Sequence, residues 1–150
     1  MQRLLLIVLP ILLIVGCSKP IDDDSLVERN GIHYQVNSET PYSGKSFSLH
    51  DNGQKYYERT YKDGKQDGLY TEWYKNGQKK SEKTWKDGKE DGLWTGWSEN
   101  GQKTVEVNVK NGNQHGLLTR WYENGQKSEE ITYKNGFKHG VASTFHVNGN

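Results

Sequence analysis

Cysteine is nearly missing from this chain: Cys17 is the only one in 150 residues, so no disulfide framework within the chain can staple the fold. Charge of one sign is missing too. Twenty basic residues face nineteen acidic ones, and without Arg3 the two counts are equal. A protein that grips phosphate backbones needs a basic patch, so this balance argues against nucleic acid. After Val15 there is no apolar run long enough to cross a bilayer as a helix. Proline occurs three times, which leaves long stretches free to form strands. The five histidines (His33, His50, His115, His139 and His146) lack metal-ligand spacing, and no serine or cysteine nucleophile arrangement is visible. Gly44-Lys45-Ser46 has the ending of a phosphate-binding loop, but the position that loop needs as glycine is Glu39. No cofactor, metal or catalytic residue is expected.

What the chain has in abundance is repetition. Asn-Gly falls at 52/53, 76/77, 100/101, 124/125 and 148/149, a spacing of 24 residues. A second Asp/Asn-Gly falls at 63/64, 87/88, 111/112 and 135/136. Gly44, Gly68, Gly92, Gly116 and Gly140 keep the same period, as do Glu58, Glu82, Glu106 and Glu130. A fixed period in this range marks a repeat architecture. Asn-Gly or Asp-Gly between apolar-patterned runs marks a β-hairpin, and the turns leave room for strands of about 6–8 residues. The expected fold is all-β: one antiparallel β-meander of 24-residue two-strand repeats. The expected units are a cap at 30–43, repeats at 44–67, 68–91, 92–115 and 116–139, and a partial repeat at 140–150.

Turn length decides which side chains share a face. Three-residue loops such as Lys75-Asn76-Gly77 and Lys86-Asp87-Gly88 would gather the odd positions. Trp73, Trp85, Trp97, Trp121 and Phe145 would then form one structural apolar face. On the even face, Tyr70, Trp94 and Leu118 hold one slot, and Tyr74, Ser98, Tyr122 and His146 another. Rows of exposed aromatics rimmed by charge suit recognition of a protein or a sugar, which makes Tyr70, Tyr74, Trp94, Leu118 and Tyr122 the candidate binding face. The glutamate series is expected to pair across strands with residues such as Lys80 and Arg120. His115 and His139 take the slot of Asp67 and Asp91 and read as turn-flanking polar residues.

Residues 1–16 stand apart from the repeats. Arg3 and a 12-residue apolar run from Leu4 to Val15 have the size of a signal peptide. Ile14-Val15-Gly16-Cys17 resembles a bacterial lipobox, which implies cleavage before Cys17 and lipidation of its thiol. The expected location is the cell envelope, lipid-anchored, and the outer membrane in a Gram-negative organism. Residues 17–29, with Pro20 and Asp22-Asp23-Asp24, read as the lipidated cysteine and a flexible tether. At the other end, Val141 to Val147 reads as a sheet edge, either protected by its own polar residues or open to a partner strand.

The unit G-x-x-x-x-W-Y-x-N-G-Q-K-x-x-E-x-x-Y/W-K-D/N-G-K-x-D/H-G resembles the MORN-repeat variant of bacterial proteins, including the YwqK-type antitoxin family. Pro41-Tyr42-Ser43-Gly44 also matches the start of such repeats. The resemblance implies a non-catalytic protein-binding module, and by the family name an antitoxin or immunity-type lipoprotein that occludes a toxin. The alternative is a structural or glycan-binding envelope lipoprotein with cell-wall glycan as its partner.

Overall fold

The computed structural model describes residues 19–147. Cys17, the apolar leader and the Asn148-Gly149 turn lie outside them. The first elements are β1 (Ile21–Asp22), a single 3-10 turn (Asp23–Ser25), and the hairpin of β2 (Leu26–Arg29) and β3 (Ile32–Gln35). Nine strands follow: β4 (Gly44–Leu49), β5 (Lys55–Lys62), β6 (Lys65–Trp73), β7 (Lys79–Lys86) and β8 (Lys89–Trp97). The last are β9 (Lys103–Lys110), β10 (Asn113–Trp121), β11 (Lys127–Lys134) and β12 (Phe137–Thr144). From β4 to β12 each strand pairs with the next in an antiparallel meander, and β1 adds to β4 in parallel. The all-β repeat meander read from the sequence is the fold observed.

The two kinds of turn differ, and here one expectation needs correction. At Asn76-Gly77 the loop has three residues: Tyr74 pairs with Gln78 and the Gly77 N–H returns to the Tyr74 carbonyl. At Asp87-Gly88 it has two, because Lys86 pairs directly with Lys89 and both central residues have positive φ. That is a type I′ turn, and it recurs at 63/64, 111/112 and 135/136. Asn76 is held out of the left-handed region by its own side chain. Its Oδ1 accepts the Gln78 N–H and its Nδ2 donates to the Glu99 carbonyl of the next repeat.

Because the loops alternate, the faces are not odd against even. Directly opposed residues share a face, and one row runs Arg59, Tyr70, Lys83, Trp94, Val107, Leu118, Ile131, Ala142. Trp85 and Val105 lie on this same side, whereas Trp73, Trp97 and Trp121 lie on the other. The expected grouping of Trp73 with Trp85 does not occur. Phe145 sits beyond the end of β12, where its N–H bonds the Ser128 carbonyl. One face holds the core: Val107, Val109, Leu118 and Ile131 are buried, with Trp94 and Tyr133 packed against the first three.

The stretch expected to be a tether is structured from Ile21 onward, and the cap begins at Leu26 rather than at residue 30. Charge anchors it. The Asp23 carboxylate accepts from the Ser46 and Tyr57 hydroxyls and pairs with the Arg59 guanidinium. Ile21, Leu26 and Val27 are half-buried besides. The cap hairpin then docks on the first type I′ turn, with the His33 N–H bonding the Gly64 carbonyl and the Gly64 N–H bonding the Tyr42 carbonyl.

Successive type I′ turns are tied together from one repeat to the next. The Gly88, Gly112 and Gly136 N–H groups donate to the carbonyls of Gln66, Glu90 and Gln114. The Asp67 and Asp91 carboxylates accept the N–H groups of Asp87 and Asn111. The hydrogen bond from the Asp87 N–H, with help from Lys86, holds the Asp67 carboxyl below its usual range. A depressed folded value means stability that is present above the ordinary carboxylate range and is lost as pH falls through the folded value. Urea midpoints measured from neutral pH downward should therefore fall less for Asp67→Asn than for the unchanged chain below about pH 4. Identical slopes for the two would show that this bond carries no linkage.

Candidate interaction surface

The core face gathers some of the expected binding residues and removes others from contention. Tyr70, Trp94 and Leu118 do share a row, but Leu118 is 1% exposed and belongs to the core. Tyr70 stacks on Tyr57 with centroids 6.1 Å apart, and the Lys83 ammonium sits 5.3 Å from the Trp94 ring while pairing with Glu90. Burial, with the Glu72 charge nearby, pushes the Tyr70 hydroxyl up to about 12. These side chains are half-buried and spent largely on one another. Tyr74 and Tyr122 act between repeats: each hydroxyl donates to a carbonyl 23 residues on, Trp97 and Phe145 respectively, at 2.8 Å. His50 makes the equivalent contact with the Trp73 carbonyl.

The opposite face is covered along its middle, where Thr71, Thr95 and Thr119 are buried, and exposed beside that row. Thr71, Thr95 and Thr119 alternate along a row with Glu58, Glu82, Glu106 and Glu130. Each glutamate pairs with the lysine three residues before it, namely Lys55, Lys79, Lys103 and Lys127. The expected partners, Lys80 and Arg120, instead bind Glu72 and Glu129. Three of the four lysines also lie over tryptophan rings: Lys55 on Trp73, Lys79 on Trp97 and Lys103 on Trp121, at 5.4–5.8 Å.

Next to the Thr/Glu row runs an apolar line that the sequence reading placed on a packed face. Leu69, Leu93 and Leu117 are 48%, 44% and 49% exposed, and Val141 is 82% exposed. They sit two strands apart, hence about 10 Å from one to the next. Their neighbours across the strands are Thr84, Asn108 and Thr132. The signal was present in the sequence as a large aliphatic residue directly after the repeat glycine at 69, 93, 117 and 141, while the first repeat has Lys45 there. Among the described residues no group of three histidine, cysteine or acidic side chains is placed to hold a metal.

The hairpin closed by the three-residue loop is the unit that decides the family. Four such units, at residues 42–63, 66–87, 90–111 and 114–135, match the MORN repeat variant. The chain belongs to the MORN-repeat-variant family. The MORN frame runs from the residue pair before each repeat glycine to the first residue of the following type I′ turn, so the Asp67–Asp87 and Asp91–Asn111 bonds fall within matched units and the Tyr74–Trp97 bond joins two of them. No curated protein matches the chain.

Proposed function

We propose that this MORN-repeat-variant chain is a lipid-anchored, non-catalytic protein-binding module of the bacterial envelope. In this reading Cys17 carries the lipid, and the repeat sheet occludes a partner protein in the manner of an antitoxin or immunity lipoprotein. The observation that carries the binding reading is the exposed line of Leu69, Leu93, Leu117 and Val141 beside a charged row. A packed core does not need these side chains, yet every repeat after the first supplies one. Exposed aliphatic side chains at regular spacing, separated by Thr84, Asn108 and Thr132 and flanked by paired charges, offer a partner a series of apolar anchor points. The half-buried aromatics of the core face contribute rigidity more than contact.

Affinity capture tests the reading, using the full chain in non-ionic detergent against envelope and secreted fractions of its source cell. The unchanged chain should retain one protein that a Leu69→Ser/Leu93→Ser/Leu117→Ser variant loses at least about tenfold, as a few lost apolar contacts would predict. Equal retention by both would remove the leucine line. Retention of wall fragments with no specific protein would replace the protein-binding reading with the glycan-binding one. Cys17→Ala should leave the chain unlipidated by mass spectrometry, and a lipidated product from that variant would refute the anchor.

A further inference from the structure

Seven asparagines among the described residues precede a glycine: Asn30, Asn52, Asn76, Asn100, Asn111, Asn124 and Asn135. Such a pair can react with itself. The glycine nitrogen attacks the asparagine Cγ, the new C–N bond closes a five-membered succinimide, and the side-chain nitrogen leaves as ammonia. Water then opens the ring at either carbonyl, which leaves aspartate or its β-linked isomer, isoaspartate. Glycine favours the closure because it has no Cβ to keep its nitrogen away. Two things oppose it: a bond that occupies the glycine N–H, and bonds that hold the carboxamide in another direction.

The fold restrains six of the seven. In the three-residue loops both restraints are present. The Gly53, Gly77, Gly101 and Gly125 N–H groups donate to the carbonyls of His50, Tyr74, Ser98 and Tyr122. The carboxamides of Asn52, Asn76, Asn100 and Asn124 each accept the N–H two residues on. Asn52 and Asn76 also donate to the Lys75 and Glu99 carbonyls of the next repeat. In the type I′ turns at Asn111 and Asn135 the restraint falls on the glycine alone. There the Gly112 and Gly136 N–H groups donate to the Glu90 and Gln114 carbonyls of the repeat before.

Asn30 is the exception. It opens the cap's own turn, where Arg29 pairs with Ile32 and both central residues are left-handed, with φ of 52° and 78°. Among the described residues no carbonyl accepts the Gly31 N–H, and no group bonds the Asn30 carboxamide. Asn30 is exposed, and nothing lies within 4 Å of the place where a Gly31 side chain would begin. The pair is unheld at both reacting groups and open to water.

We propose that Asn30-Gly31 is a self-modification site, at which the cap converts in water, without an enzyme, to aspartate and isoaspartate with release of ammonia. The two products differ in consequence. Aspartate fits the turn, since Asp63 and Asp87 hold the same position in the repeats. Isoaspartate routes the main chain through its own side-chain methylene and lengthens the two-residue loop by a carbon. That loop joins Arg29 directly to Ile32, so β3 loses its register on β2. The His33 N–H then leaves the Gly64 carbonyl, and the cap loosens on the first repeat. The site is separate from the leucine line and stands or falls without it.

The test is incubation of the full chain in non-ionic detergent at neutral pH, with and without urea, followed by peptide mass mapping. Electron-transfer fragmentation tells isoaspartate from aspartate. In the folded chain Asn30 should convert at least about threefold faster than Asn111 and Asn135, whose glycines keep one bond. It should convert at least about tenfold faster than Asn52, Asn76, Asn100 and Asn124, which keep two or more. Urea removes the bonds, so the seven rates should draw together. Limited proteolysis should cut within Leu26–Gln35 in isoaspartate-bearing molecules, whereas Asn30→Asp should be protected like the unchanged chain. No conversion at Asn30, an equal rate at any of the other six, or a ranking that survives in urea would each overturn the site. A cap equally protected in isoaspartate-bearing molecules would overturn its loosening.

Discussion

Leu118→Ala should destabilise the chain by about 2–5 kcal/mol, whereas Leu117→Ala, one residue away, should cost less than about 1 kcal/mol. The contrast follows from the register. Leu118 lies opposite both Val107 and Ile131, is 1% exposed, and sits where Val107 and Val109 close around it. Removing its isobutyl group leaves a cavity in a sheet whose rows are continuous from strand to strand and cannot easily collapse. Leu117 points the other way, lies opposite Thr132, and is 49% exposed. Truncating it removes little buried area. Urea midpoints with unchanged slopes would measure both. Similar losses at the two positions would mean that the faces have been assigned wrongly at β10.

The second large effect is expected at Gly64. Gly64 and Gly112 both occupy the second position of type I′ turns, with φ of 76° and 80°. An alanine at either position is strained by about 1–2 kcal/mol, because a Cβ crowds the backbone in the left-handed region. At Gly112 that is the whole cost, since nothing lies within 4 Å of the added carbon. At Gly64 the same carbon would run into the Ile32 side chain and come within 2.9 Å of the His33 carbonyl oxygen. The cap must then move, and the bonds between His33, Gly64 and Tyr42 go with it. Gly64→Ala should therefore cost at least about 2 kcal/mol more than Gly112→Ala and open Leu26–Gln35 to proteolysis. Equal losses, with the cap still protected, would show that the hairpin is not seated on this turn.

Much of this architecture was legible in the sequence. The period, the strand content and the antiparallel order all follow from turn dipeptides at fixed spacing, because Asn-Gly and Asp-Gly between alternating runs have few other uses. The turn lengths were not legible. Either dipeptide suits a two-residue or a three-residue loop, and the three-residue loops are marked by a side-chain contact the dipeptide does not announce, in which Asn52, Asn76, Asn100 and Asn124 each accept at Oδ1 the N–H two residues on. That single ambiguity moved Trp73 and Trp85 onto a common face in the sequence reading and concealed the exposed leucines. The supposed tether failed for a similar reason. Three adjacent aspartates look solvated in composition, but Asp23 finds Arg59, 36 residues away, only once β5 is formed. Among the proposed contact residues, local pattern placed Tyr70, Trp94 and Leu118 correctly in one row. It could not show that Leu118 would be covered, since it lies between Val107 and Ile131 on the neighbouring strands.

The division into two faces governs the core and the interaction surface described above, and side-chain nuclear Overhauser contacts of the tryptophan rings test it most directly. The structure predicts contacts from the Trp94 ring to Val107, directly opposite it, and none between Trp73 and Val105. Contacts from Trp73 to Val105, with Trp94 remote from Val107, would restore uniform three-residue loops and contradict the account.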